Sequence, residues 1–200
     1  MKLYKRILDL IFLLFFFPLI LTLILVVYLY LKIKISSPVF FIQVRSGYKG
    51  VPFKLYKFRT MALQQKKFNH QNEKKRVLKA TYYLRVLKLD ELPQFLNILK
   101  GDLTIVGPRP LLMEYNKIYT TEQKKRLYVV PGLTGWAQIN GENNISWKKK
   151  FELDLYYIKN MSFHLDIKII ILTIVYLIKK LFTGNKKNQK IIAERFNGKN

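Results

Sequence analysis

The sequence predicts an α+β fold with an N-terminal re-entrant membrane helix, a small β-hairpin and several helices, including amphipathic membrane-surface helices. Three observations predict it. Leu10 to Leu31 is an uncharged, strongly apolar run near the N-terminus. Two short runs rich in β-branched and aromatic residues, Pro38–Ile42 and Pro52–Phe58, flank a turn at Ser46–Gly50. Helical patterning then dominates from Ala80 onward, and Ser146–Asn160 has a clear apolar side. The expected organisation is a membrane helix over 1–35, one main domain over 36–182 and a polar tail over 183–200.

The run Leu10–Leu31 holds about 22 residues and would extend about 33 Å as a straight helix, enough to cross a bilayer. It is too long for the core of a cleavable signal, and no small-residue cleavage site follows it. Lys2, Lys5 and Arg6 precede it, and Lys32 and Lys34 follow. Cations on both flanks favour having both ends on the cytoplasmic side. Pro18 lies near the middle, where it removes a backbone hydrogen bond. A helix that enters the bilayer and returns fits these facts; a proline-kinked spanning helix fits them as well.

The charge balance narrows the partners. Thirty-six Lys and Arg face twelve Asp and Glu, a formal net charge of +24 over 200 residues. Such an excess points to a polyanion: nucleic acid, anionic lipid or a phosphorylated substrate. Half of the residues are hydrophobic, which favours a membrane surface over free nucleic acid. The cations are spread along the chain and no nucleic-acid-binding module is legible, so no nucleic-acid partner is expected. The absence of cysteine excludes disulfides, thiolate zinc sites and a cysteine nucleophile. His70 and His164 are far apart in sequence, so a histidine metal site is not expected.

The chemistry centres on Leu87–Asn97. Pro93 fits only the first turn of a helix, which places the start near Asp90 and puts Asp90 and Glu91 at its positive end. Neighbours on an α-helix point about 100° apart, so one carboxylate could attack a substrate while the other holds a metal. The simpler alternative is an Asp N-cap with Glu in the first turn. Arg85 lies about a turn and a half upstream on a helix over Ala80–Lys88. Pro108 and Pro110 stiffen the backbone around Arg109, as a bidentate phosphate clamp requires. Arg45, Lys54, Lys57 and Arg59 lie on or beside the hairpin and taken alone read as solvated edge charge.

The remaining segments are read more coarsely. Ala62–Lys79 is polar and reads as a loop with a marginal helix, a candidate mobile cover. Leu111–Tyr128 reads as a helix. Pro131–Gly141 reads as a loop whose glycines, Trp136 and Gln138 suit a nucleobase or phosphate, although it lacks the spacing of a P-loop or dinucleotide fingerprint. In Ser146–Asn160, Trp147, Phe151, Leu155 and Ile158 fall near one face. Ile169–Ile178 is too short to span a bilayer and suits a core helix or the headgroup region. The tail is polar apart from Ile191, Ile192 and Phe196.

With these pieces in order, the sequence resembles the bacterial sugar transferases of the monotopic phosphoglycosyl transferase family. The likeness runs from the N-terminal apolar segment to about residue 180. It rests on Gln43-Val44-Arg45-Ser46-Gly47, Tyr56-Lys57-Phe58-Arg59-Thr60-Met61, Leu89-Asp90-Glu91-Leu92-Pro93-Gln94, Gly101-Asp102, Val106-Gly107-Pro108-Arg109-Pro110, Pro131 to Gln138, and Leu165-Asp166-Ile167-Lys168. The sequence departs from the pattern at Phe17, where a serine is expected before Pro18.

The resemblance implies transfer of a sugar 1-phosphate from a UDP-sugar to undecaprenyl phosphate, with release of UMP, at the cytoplasmic face of the inner membrane. It implies that Asp90 is a covalent nucleophile and that Glu91 is a ligand of Mg²⁺. It places Arg109 first among substrate-binding residues, with Arg85, Lys57, Arg59, Arg45, Pro108, Pro110 and Gln138 around it. The motifs, with the tail Arg195–Asn200, look most like members that start bacterial protein N-glycosylation with UDP-N,N′-diacetylbacillosamine. Other UDP-sugars, feeding capsule, exopolysaccharide or O-antigen, are the alternative. Oligomeric state is not legible.

Overall fold

The computed structural model describes residues 2–35, 37–62, 77–183 and 194–198. Most of the expected cover segment, including His70, lies outside the described residues, as do 184–193 of the tail.

Helix α1 (Leu3–Ile35) is uninterrupted and 33 residues long, about 50 Å at the α-helical rise. Among the described residues it is the helix long and apolar enough to cross a membrane. Pro18 lies inside it, and the Thr22 hydroxyl donates to the Pro18 carbonyl at 2.9 Å. Its buried residues form one stripe: Lys5, Asp9, Leu13, Ile20, Val27 and Leu31. That stripe meets the main domain at both ends of the helix. Near the N-terminus, Lys5 Nζ donates to Asp166 Oδ2 at 2.7 Å and to the Val106 carbonyl at 2.8 Å. Asp9 Oδ1 accepts from the Thr104 hydroxyl and the Ile105 amide at 2.9 and 2.8 Å. Near the C-terminus, Val27 and Leu31 pack with Val39 and Phe58, and the Tyr30 hydroxyl donates to the Ala80 carbonyl at 2.7 Å. Leu14, Phe15, Phe17, Leu21, Leu25 and Ile33 are exposed apolar residues on the rest of the helix.

The expected hairpin forms, but its first strand covers Phe40–Ser46 rather than Pro38–Ile42 and runs into the expected turn. Strands β1 (Phe40–Ser46) and β2 (Pro52–Phe58) pair antiparallel, from Phe40 opposite Phe58 to Ser46 opposite Pro52. After it come a short helix α2 (Tyr82–Val86), a 3₁₀ turn over Leu89–Gln94 and helix α3 (Phe95–Lys100). Asn97 stitches α3 to β2. Its Oδ1 accepts from the Tyr56 amide at 3.1 Å, and its Nδ2 donates to the Lys54 carbonyl at 2.7 Å. Arg6 on α1 donates to the Ile98 and Leu99 carbonyls, satisfying orphan acceptors at the end of α3.

A second, parallel pair follows: β3 (Thr104–Val106) with β4 (Gly132–Thr134), Thr104 opposite Gly132 and Val106 opposite Thr134. The segment expected as one helix, Leu111–Tyr128, is instead broken into a 3₁₀ turn over Met113–Lys117, helix α4 (Thr121–Lys124) and a 3₁₀ turn over Lys125–Tyr128. The break has a local cause: Thr120 and Gln123 form a reciprocal capping box that starts a new helix.

Pro131–Gly141 is also more regular than a binding loop, since it contains β4 and helix α5 (Trp136–Ile139). Two of its glycines, Gly132 and Gly135, serve close backbone approach. A Cβ on Gly132 would lie 2.0 Å from the Gly107 amide nitrogen, and one on Gly135 would lie 2.2 Å from the Gly107 carbonyl oxygen.

Helix α6 (Trp147–Asn160) is N-capped by Ser146, whose hydroxyl accepts from the Lys149 amide. It buries Trp147, Phe151, Asp154 and Tyr157. Helix α7 (Phe163–Thr183) extends well beyond the apolar core read from sequence and leaves Ile171, Ile174, Ile178, Leu181 and Phe182 exposed. Phe196 folds back among Tyr115, Tyr119, Trp147 and Phe151, and its amide donates to the Tyr115 hydroxyl. His164 lies edge-on to Phe163.

Gly132→Ala should destabilise the protein through the β3–β4 contact, because two backbones must separate to admit the methyl group. The expected loss is about 3 kcal/mol, an overpacking penalty, or roughly 6–12 °C in Tm for a chain of this size. A thermal melt in detergent checks it; an unchanged Tm would mean that the contact is loose.

Candidate active site

The site is built where β2, the 3₁₀ turn and the segment after β3 converge. Asp90 and Glu91 sit in the first turn of the 3₁₀ helix Leu89–Gln94, preceded by Lys88 in a left-handed conformation. The helix therefore begins one residue before the expected Asp90, and it begins as 3₁₀, which sets adjacent side chains about 120° apart. Neither carboxylate acts as an N-cap, because residue 88 holds that position and no side chain caps the turn. Both carboxylates are only 6% exposed, and both face a cavity of about 480 Å³.

Glu91 is pinned. Arg109 reaches it as a fork, Nη2 to Oε1 at 2.5 Å and Nη1 to Oε2 at 3.3 Å. Lys57 Nζ donates to Oε1 at 2.9 Å. Burial works against the Glu91 charge, but Arg109 and Lys57 outweigh it and hold the carboxyl well below the usual range. Glu91 in turn strengthens the hold of Arg109 on its proton.

Asp90 is placed differently. Its carboxylate makes no hydrogen bond or ion pair among the described residues. Burial first, and then the adjacent Glu91 charge, push it above the usual range, against Lys57, Arg85 and Lys88. Two neighbouring carboxylates thus diverge: one held charged by partners, the other left open toward the cavity.

Arg109 owes its position to its backbone. Arg126 Nη2 donates to the Arg109 carbonyl at 2.6 Å, and Arg126 is itself held by Asp154 at 3.0 Å and by the Tyr119 hydroxyl at 3.2 Å. Gly132 donates its amide to the Pro108 carbonyl at 2.9 Å, and Gly107 donates to the Thr134 carbonyl at 2.8 Å.

Of the residues singled out in the sequence, Asp90, Glu91, Arg109, Lys57, Arg45, Arg85, Pro110 and Gln138 line the cavity together. Arg45 is braced by Gln43, and burial together with Arg109 lowers it to about 10. Arg85 Nη1 donates to the Thr60 hydroxyl at 3.1 Å. Gln138 brings both amide atoms to the cavity wall, buried and without a hydrogen-bond partner. Two residues take other roles. Arg59 lies on the cavity wall, but its Nη2 donates to the Ile35 carbonyl at 2.5 Å, closing the C-terminal end of α1. Pro108 does not line the cavity and acts through its carbonyl on β4.

The family described as "bacterial sugar transferase" matches residues 1–180. The chain belongs to that family. The uncharacterized sugar transferase EpsL of Bacillus subtilis is 54% identical over 166 residues, which cover 82% of this chain and 81% of that one. The UDP-glucose:undecaprenyl-phosphate glucose-1-phosphate transferase of Escherichia coli is 43% identical over 155 residues, covering 70% of this chain. The UDP-N-acetylgalactosamine-undecaprenyl-phosphate N-acetylgalactosaminephosphotransferase of Aeromonas hydrophila is 38% identical over 146 residues, covering 68% of this chain. The match covers 33% and 34% of the lengths of these last two relatives, so the transferase corresponds to about a third of each.

Sequence reasoning missed Lys88, Glu142, Arg126 and Asp154, all on the cavity wall. Asp154 carried a signal: it falls between Phe151 and Tyr157 on the apolar side of α6, where a carboxylate needs a buried cation. Arg126 carried none, being one of four adjacent or near-adjacent cations and amides from Gln123 to Arg126.

A divalent cation fits the donors present. Mg²⁺ uses one or two carboxylates and completes its shell with water and phosphate oxygen. Glu91 Oε2 has a single long contact, and Asp90 stands beside it. Among the described residues no group of three or more acidic, histidine or cysteine side chains competes for a metal.

The transferase should show two pH limbs in kcat/KM. Burial lowers Lys57 to about 8 despite Glu91, so its charge is present below that pH and lost above it. The alkaline limb should therefore fall near 8. If Asp90 reacts as a carboxylate, the acid limb should lie above the ordinary carboxylate range, because burial and Glu91 raise it. Lys57→Arg should move the alkaline limb upward and leave the acid limb in place; an unmoved alkaline limb would assign that loss to another group.

Proposed function

We propose that this chain is a phosphoglycosyl transferase that moves a sugar 1-phosphate from a UDP-sugar to undecaprenyl phosphate and releases UMP. The observation that carries the reading is the contrast within one buried pair: Asp90 is open toward a cationic cavity, while Glu91 is clamped by Arg109 and Lys57. The names of the relatives support the two substrates, a UDP-sugar and undecaprenyl phosphate.

The geometry suits a two-step exchange at one phosphorus. An Asp90 carboxylate oxygen forms a bond to the phosphorus that carries the sugar, and the bond from that phosphorus to the oxygen of UMP breaks. UMP leaves with the negative charge that Asp90 brought, so no proton moves. A phosphate oxygen of the lipid then bonds to the same phosphorus, and Asp90 departs as a carboxylate. Arg109, Lys57, Arg45 and Arg85 offset the charge of the diphosphate, with Arg109 offering the planar fork that suits phosphate. Mg²⁺, when bound at Glu91, supplies further charge neutralisation at the diphosphate. Gln138 offers an amide donor and acceptor for the uracil or the sugar.

The membrane placement follows from α1. Both ends of this helix pack on the same domain, which favours a re-entrant seat with the domain at the cytoplasmic headgroup level. There the lipid phosphate meets the site without crossing the bilayer. The apolar outer residues of α7, with Leu96 and Leu99 of α3, suit the same interface. The sugar favoured by the resemblance is N,N′-diacetylbacillosamine, for the first membrane step of protein N-glycosylation; a UMP-release screen should include UDP-glucose, UDP-galactose and UDP-N-acetylgalactosamine.

Enzyme, Mg²⁺ and UDP-sugar without lipid should release about one equivalent of UMP per site in a burst, with the mass of a phosphosugar added on Asp90. Asp90→Asn should abolish burst and adduct, and Glu91→Gln should weaken the dependence on Mg²⁺ and slow both half-steps. Intact-protein mass spectrometry with peptide mapping reads this. An unmodified protein under conditions of fast lipid-dependent turnover would refute the covalent step.

Single cysteines at Lys2 and Lys34, in a chain without native cysteine, should label from the same side in intact cells. Labelling from opposite sides would replace the re-entrant helix with a spanning one.

A further inference from the structure

Among the described residues, three non-glycine residues have positive φ: Lys49, Lys88 and Glu142. Two of these three are bonded to each other beside the nucleophile. Lys88 (φ 60°, ψ 18°) directly precedes the 3₁₀ turn, and its carbonyl accepts the Glu91 amide at 3.0 Å. Glu142 (φ 51°) follows Gly141, and its amide donates to the Ala137 carbonyl at 3.2 Å. Lys88 Nζ donates to Glu142 Oε1. Glu142 Oε2 accepts from the Tyr176 hydroxyl at 2.8 Å and lies 3.5 Å from Lys180 Nζ. Tyr176 and Lys180 belong to α7, whose outer side is apolar and exposed.

The left-handed region is unfavourable for an L-residue with a long side chain, so such a residue is held there by its surroundings. Residue 88 follows the C-cap of α2, and its amide donates to the Arg85 carbonyl at 3.3 Å, but the glycine or asparagine that usually fills such a left-handed position is absent, so the side chain must add to the hold. Its side-chain contact is with a carboxylate that is fixed from a third element. Burial opposes the Glu142 charge, but Lys88 and Lys180 hold the carboxyl down to about 2, so it is ionised throughout the neutral range. A change of φ at residue 88 would swing the whole turn that carries Asp90 and Glu91.

We propose that Glu142 is a positioning residue for phosphoryl transfer: anchored to α7 by Tyr176 and Lys180, it holds Lys88 in the left-handed conformation that aims Asp90 into the cavity. The inference rests on the phosphoglycosyl transfer reading above. It also ties the aim of the nucleophile to the helix whose outer face is apolar, so the seat of α7 and the geometry of Asp90 are set together.

The test is a double-mutant cycle on the full chain in detergent, read as steady-state UMP release from a UDP-sugar that the wild type turns over with undecaprenyl phosphate present. Glu142→Gln should lower kcat about tenfold with KM for the UDP-sugar unchanged, as expected when aim rather than binding is lost. In a Lys88→Gly background the same change should cost less than about twofold, because glycine adopts the left-handed region by itself. Lys88→Ala should be slower than Lys88→Gly, an order that a lost charge alone would not produce. Equal losses from Glu142→Gln in both backgrounds, a rise in KM with kcat held, or Lys88→Ala at least as fast as Lys88→Gly would each overturn the proposal.

Hydrogen exchange provides a readout that needs no turnover. Glu142→Gln should speed exchange at the Glu91 amide, which bonds to Lys88, and an unchanged rate would overturn the positioning role. If the wild type turns over no UDP-sugar, the reaction reading fails while the exchange measurement still decides the contact.

Discussion

Lys5 carries its ammonium from α1 into the interface beneath β3, where it meets Asp166 at 2.7 Å, the Tyr157 hydroxyl at 2.8 Å and the Val106 carbonyl at 2.8 Å. The Asp166 side chain is fully buried, and it also accepts from the Tyr4 and Tyr157 hydroxyls. A pair this dry is tolerable only because its hydrogen bonds are made, and removing one partner strands a charge at about 3–5 kcal/mol. The contact joins α1, α6 and α7 to the strand that leads directly into Gly107-Pro108-Arg109. Asp9 repeats the device one turn along, binding Thr104 and Ile105. The long apolar helix is thereby fastened to the back of the site, and the segment that carries Arg109 is built on that fastening.

Around the two adjacent carboxylates, cations outnumber anions. Lys57, Arg109, Arg45, Arg85 and Lys88 face Asp90, Glu91 and Glu142. Glu91 absorbs two of these cations and Glu142 absorbs Lys88, which leaves Asp90 without a direct partner. This division gives the two acids separate tasks. A carboxylate with a full set of donors is a poor nucleophile, because attack would break those bonds. A buried carboxylate without them is raised in pKa and more reactive once ionised. The remaining positive charge suits an anionic ligand such as a diphosphate.

The membrane-facing elements and the site share their supports. The Asn97 side chain pins α3 to β2, and β2 carries Lys57 to Glu91. Arg6 closes the end of α3 from α1. Glu142 joins α7 to the residue before the turn that carries Asp90 and Glu91. Each of these apolar helices therefore has at least one polar contact that reaches the framework around the cavity.

Sequence alone determined the features that arise from local pattern. The apolar run of α1, the two strand-forming runs of the hairpin and the amphipathic α6 are written in neighbouring residues. Pro93 announced a helix start within one residue, and the Pro108-Arg109-Pro110 stretch announced a stiff arginine. Tertiary structure decided what depends on partners remote in the chain. Only folding separates Glu91, with its distant Lys57 and Arg109, from Asp90, although both residues look alike in sequence. It moved Arg59 to the end of α1 and gave Gly132 and Gly135 to backbone contact with Gly107. It also brought Glu142 against Lys88, which are 54 residues apart. The physical reason is common to all of these. Propensity and periodicity act over a few residues, whereas the fate of a charge depends on what desolvates it and what pairs with it, and both are set by elements that meet only when the chain has folded.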